Sequence, residues 1–214
     1  MKVLLVLFAL FKAISAGSDG FDFVQATSVT TMQCVKNSGI AFVIPRIFTS
    51  AGTIDQTGIN NVKNSHAAGI PTVDGYFFPC ISSRCPSGAE QVKTALDAIS
   101  SQGTNIGTIW LDIEHLAWPT NHANNREFIE SMVNEAVSRN QPVGIYSNYN
   151  QWEVIVGLDY TSLSHLPLWW VEYDGEKEPV QYQAFGGWSK PRIHEWHSAE
   201  RGPCGLTVES NYMP

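Results

Sequence analysis

Apolar runs of strand length recur along this chain, and helix-patterned segments separate most of them. Residues 20–23, 40–44, 72–79, 108–114, 142–147 and 168–173 read as strands. Between them, 26–37, 57–68, 87–101 and 121–139 read as helices, with a short one around Trp152. Ser87 followed by Glu90 is a capping box, and Phe128, Met132, Ala136 and Val137 form an apolar stripe. Residues 181–184 and 192–196 are the expected seventh and eighth strands. Strands alternating with helices imply a parallel sheet, and about eight of them imply closure into a barrel. The expected fold is therefore α/β, an irregular TIM-like β/α barrel with fewer helices in its last third.

The first 16 residues pair a basic start with an apolar run too short to span a bilayer, and end in small residues. They read as a secretory signal peptide, which leaves 17–214 as one domain. The protein is expected to be secreted, outside the cell or into a gut lumen, or delivered to a lysosome. The formal charge is −7, or −9 once Lys2 and Lys12 leave with the signal peptide. Such an acidic chain is a poor partner for nucleic acid or an anionic membrane. Four cysteines in a secreted chain suggest two disulfides, with three possible connectivities. Cys80 and Cys85 flank a short loop and can close it, which leaves Cys34 for Cys204. Zinc is disfavoured because Cys-x4-Cys has no matching second pair. No cofactor or metal is expected, and no Asn-x-Ser/Thr acceptor is present.

The chemistry points to residues 108–115, Thr-Ile-Trp-Leu-Asp-Ile-Glu-His. Alternation along a strand puts Asp112 and Glu114 on one face, roughly 7 Å apart along the strand. Two acids on one wall are the minimum for cleaving a glycosidic bond. Barrel chemistry sits at the C-terminal ends of the strands. Asp22, Arg46, Tyr76, Asp112, Glu114, Tyr146, Trp169 and Tyr173 would therefore ring one mouth. Acids that bind hydroxyls and flat rings that cover sugar faces make a carbohydrate site. Phe42, Phe48 and Trp110 read instead as core.

Taken in order, Gly20-Phe21-Asp22, Tyr76, Trp110-Leu111-Asp112-Ile113-Glu114, Gly144-Ile145-Tyr146-Ser147-Asn148, Leu168-Trp169 with Tyr173, and Val208-Glu209-Ser210-Asn211 resemble glycoside hydrolase family 25 lysozymes. The likeness is closest to the shorter secreted forms of invertebrates and amoebae. It implies Glu114 as general acid, Asp112 as its partner and Asp22 across the pocket. Tyr76, Tyr146, Trp169, Tyr173, Arg46 and Glu209 would bind substrate. Glu209 stands where the family has Asp, and Glu195 where it often has Gln. The implied reaction is cleavage of the β-1,4 bond between N-acetylmuramic acid and N-acetylglucosamine in bacterial peptidoglycan, by a monomer. One rival is a chitinase-like glycosidase, but its strand motif would need acids at Gly107 and Trp110. The other is a wall-binding protein that keeps this fold without hydrolysis.

Overall fold

The computed structural model describes residues 17–114 and 117–214. The expected signal peptide, 1–16, lies outside the described residues. In chain order the elements are β1 (Ser18–Phe23), α1 (Val29–Asn37), β2 (Phe42–Thr49), β3 (Thr53–Ile54), α2 (Gln56–Ala68), β4 (Thr72–Val73), β5 (Gly75–Phe77) and α3 (Gly88–Ser101). They continue with β6 (Ile109–Asp112), α4 (His122–Ser138), β7 (Val143–Ser147), α5 (Tyr149–Ile155), β8 (Leu168–Val171), β9 (Ile193–Arg201) and β10 (Thr207–Met213). Helix starts are set by side-chain caps: Ser28, Asp55, Ser87, Asn121 and Asn148 each accept a first-turn amide.

Eight strands close a barrel in the order β1, β10, β9, β8, β7, β6, β5, β2, and β2 pairs back to β1. Seven run parallel, while β10 is antiparallel to both its neighbours. This corrects two expectations. Residues 181–184 form no strand. Their segment carries Pro179 and the left-handed Gly186 and Gly187, and Tyr182 packs on the outside of β8, 5.2 Å from the Trp170 ring. The eighth stave is β10, reached from β9 through a short turn around Pro203–Gly205. Parallel neighbours need a long crossover, whereas a short connection can only reverse direction, so β10 runs backwards.

Alternation sorts each strand between two cores. Phe21, Phe23, Val43, Ile47, Phe77, Leu111, Ile145 and Trp170 point outward and pack with the helices. Phe42, Ile44, Trp110, Tyr146, Trp169, Val171 and Ile193 point inward, joined by Tyr76 and Met213. The apolar expectation for Phe42, Phe48 and Trp110 agrees with this: each is buried. Gly144 gives Trp110 its space, since a Cβ there would lie 2.4 Å from the indole ring. Asp74, at the opposite end of the barrel, accepts from Trp110 Nε1 at 2.9 Å and fixes that ring.

Candidate active site

The inward positions at the C-terminal ends of the parallel strands are polar. Asp22 lies near the end of β1 and Asp112 ends β6, and both are buried. Glu114 follows two residues beyond β6 and is half-buried. The backbone between them stays pinned: Ile113 N–H donates to the Tyr146 carbonyl at 2.9 Å, and Ser147 Oγ–H donates to the Ile113 carbonyl at 2.8 Å. Glu195 projects inward from β9 and is 1% exposed. Reversal of β10 brings its beginning, rather than its end, to this mouth. Glu209 is therefore in register with Asp22, and its carboxyl lies close to those of both Asp22 and Glu195.

Asn211 anchors the group from below. Its Oδ1 accepts from Trp169 Nε1 at 2.6 Å, and its Nδ2 donates to Asp22 Oδ1 at 2.8 Å. An indole can only donate, so the amide orientation is fixed. Tyr173 Oη–H donates to Glu195 Oε1 at 2.8 Å, and the Tyr146 hydroxyl also favours the ionised form of Glu195. Asp112 Oδ1 is buried and finds no hydrogen-bond partner among the described residues.

Five carboxyls share this space with little to neutralise them. Burial, then the charges of Glu195 and Glu209, pushes Asp22 well above the usual carboxylate range. Burial, then Glu114, Glu195 and Glu209, does the same to Asp112. Glu114 is also raised, by burial first and Glu209 second. Glu195 is pushed up to about 8, by burial first and Glu209 second, against the two tyrosine hydroxyls. All four shifts thus come from lost hydration before charge repulsion. Oxygens of Asp22, Glu195 and Glu209 lie within 4.8 Å of one another, a spacing a hard cation could also bridge.

A family model described as Lysozyme-like protein 1 matches residues 15–196. The chain is 53% identical to Lysozyme-like protein 5 of Caenorhabditis elegans, covering 100% of both chains. It is 36% identical to Probable GH family 25 lysozyme 2 of Dictyostelium discoideum, covering 100% of this chain and 99% of the relative. The chain belongs to the family 25 lysozymes. It is thus a glycoside hydrolase by family. Its fold matches that of a family 25 lysozyme from Aspergillus fumigatus with a TM-score of 0.73, at 19% identity, over 93% of this chain and 94% of the other.

Against the family 25 pattern expected from sequence, Asp22, Asp112, Glu114 and Glu209 converge on one mouth. Tyr76 and Tyr173 stand at its rim, half-buried and 48% exposed respectively. Trp169 does not present a face. It is 2% exposed and boxed edge-on by Tyr76, Tyr146 and Trp110, at 6.2, 4.6 and 5.9 Å between centroids. Its indole N–H is engaged by Asn211, and Tyr146 is nearly as buried. Arg46 sits beside Tyr76 in register, but its Nε is engaged by Asp55 Oδ2 at 2.9 Å. The sequence marked Asn211 only as part of the matching 208–211 segment and Glu195 only as standing in place of Gln, with no role for either. The signal for both was their inward parity, visible only once the last two strands are placed. Both disulfides match the expectation: Cys34–Cys204 ties α1 to the β9–β10 turn, and Cys80–Cys85 closes the loop after β5. Ser50, Phe78, Cys80, Arg84 and Ala117, from the loops after β2, β5 and β6, line a cleft.

Proposed function

We propose that this protein is a secreted lysozyme that hydrolyses the β-1,4 bond between N-acetylmuramic acid and N-acetylglucosamine in peptidoglycan. The leader 1–16 would direct it out of the cell, into a gut lumen or to a lysosome, for digestion or antibacterial defence. The observation that carries the mechanism is the orphaned Asp112 Oδ1 beside Glu114. A buried acceptor left unpaired costs about 1–3 kcal/mol, so it is held ready for a donor that arrives with substrate. The N–H of a 2-acetamido group is such a donor.

Glu114 then protonates the leaving oxygen. It is the half-buried member of the pair, and its raised pKa keeps the proton available at mildly acidic pH. The acetamido oxygen attacks the anomeric carbon, and Asp112 balances the charge that develops on the new ring. Glu114 next takes a proton from the incoming water, so configuration is retained. Both acids rise from one strand and approach the sugar from one side. That placement is poor for an inverting pair, whose base must activate water on the opposite face. Asp22 is the alternative base across the pocket. Its hydrogen bond from Asn211 and its register with Glu209 support a positioning role instead.

The test is lysis of purified peptidoglycan by wild type, Glu114→Gln, Asp112→Asn and Asp22→Asn, with NMR of the first anomer from a soluble muropeptide. Glu114→Gln abolishes turnover, Asp112→Asn loses two or more orders of magnitude in line with acid–base contributions of roughly 10²–10⁴, and Asp22→Asn loses less. Release of the α anomer, or an Asp22→Asn enzyme as inactive as Glu114→Gln, would move the base to Asp22. No lysis by wild type at any pH would leave a wall-binding protein.

A further inference from the structure

Glu209 is the half-buried member of a row of three carboxyls, with buried Asp22 on one side and buried Glu195 on the other. Oxygens of all three carboxyls lie within 4.8 Å of one another. Two carboxylates are acceptors alone, so carboxyls packed this closely can pair only where one of them carries a proton. We propose that Glu195 is a positioning residue of the site, a buried carboxylic acid that keeps its proton and donates it to Glu209. Held in this way, Glu209 stays between Glu195 and Asp22 instead of swinging to solvent, and its distance from Glu114 is fixed. The proposal rests on the hydrolase reading only for its consequence in catalysis.

The assignment of the proton to Glu195 follows from what surrounds it. From β1 it faces Asp22, from β6 Asp112, from β7 Tyr146, from the segment after β8 Tyr173, and from β10 Glu209. The charge of Arg46 on β2 reaches Tyr76, and Arg46 is already paired with Asp55. No described cation touches the three carboxyls. His194 points away, its ring nitrogens against the Lys177 and Glu172 carbonyls at 3.1 Å each. A carboxylate enclosed by other acids, with no cation and 1% exposure, is more stable protonated. The two tyrosine hydroxyls oppose this but do not overcome it, and the balance leaves Glu195 titrating near 8.

Two consequences can be measured. The folded chain keeps the Glu195 proton at pH values where the unfolded chain has released it. Stability is therefore lost as pH rises from the ordinary carboxylate range towards 8. Each such proton makes the unfolding constant rise tenfold more per pH unit. Glu195→Gln keeps a donor and an acceptor but cannot titrate. Between pH 5.5 and 7.5 its unfolding constant should rise about tenfold less per pH unit than that of wild type. In catalysis, log(kcat/KM) of wild type should steepen from slope −1 to −2 above about pH 8, and Glu195→Gln should stay at −1. Tyr173→Phe, which removes a donor that supports ionised Glu195, should move the break to higher pH. Equal pH slopes of unfolding in wild type and Glu195→Gln would overturn the proposal. So would a break that ignores both variants and moves in His194→Gln. If no protein lyses peptidoglycan at any pH, the hydrolase reading fails, and the unfolding slopes still decide the role of Glu195.

Discussion

Asn211 shows how one side chain couples the floor of this site to its acids. Its amide joins an indole 42 residues away to a carboxylate 189 residues away. Asn211→Asp separates the two halves of that role by pH. When protonated, the new acid can still accept from Trp169 and donate to Asp22. When ionised, it sets a second buried charge against Asp22, so its folded-state pKa is raised and stability falls as pH rises. The variant should melt near wild type at pH 4 and lose about 3 kcal/mol at pH 7, the scale of an uncompensated buried charge. Urea unfolding at the two pH values checks this, and an equal loss at both would mean that geometry rather than charge is disturbed. The same separation explains what was legible beforehand. Asp112 and Glu114 declared their shared face through local alternation, as did Asp22. The parts of Asn211 and Glu195 depend on strands that meet only in the closed barrel.

At the scale of elements, the last strand and its anchor decide the architecture. The first six strands were readable because each apolar run sits between helix signals. β10 was not, because its bulged register and its inward Glu209 and Asn211 remove the apolar run that marks a buried strand. It is also the one stave that reverses, and the reversal places Glu209 level with Asp22. Cys34–Cys204 pins the turn that makes this reversal to α1, closing a span of 170 residues. Cys80–Cys85 closes one of only 5. The entropic benefit of a cross-link grows with the loop it closes. Cys34→Ser with Cys204→Ser should therefore cost about 2–5 kcal/mol, and Cys80→Ser with Cys85→Ser distinctly less. Denaturant midpoints of the two double variants, with lysis assayed below the transition, make the comparison. If the short loop proves the costlier, β10 is held by its sheet pairing and not by the covalent tie.

Across the whole molecule, charge sets the terms on which the mouth meets its polymer. The full sequence carries −7, and residues 17–214 alone carry −9. A bacterial wall rich in carboxylates and phosphates repels such a protein near neutral pH. Two effects then favour acid: carboxylates over the surface protonate, and Glu114, raised by burial and Glu209, holds the proton it must give. Maximal lysis should fall on the order of pH 4 to 6, where a general acid of raised pKa is still charged with its proton. Salt separates the two effects. The screening length shortens from ~30 Å at 0.01 M to ~10 Å at 0.1 M ionic strength, so long-range repulsion fades while the buried acids barely respond. Lysis of whole cells at pH 7 should thus rise with added salt, opposite to the behaviour of a cationic enzyme steered onto the wall. Cleavage of a small soluble muropeptide at the same pH should change little. At pH 5 the salt effect on cells should shrink, because the protein has lost much of its charge. Initial rates on cells and on the soluble substrate, taken from 0.01 to 0.2 M salt at both pH values, supply the test. Lysis that falls with salt at pH 7 would mean that a local basic feature, such as the exposed Arg84 lining the cleft between the loops after β2, β5 and β6, governs approach to the wall.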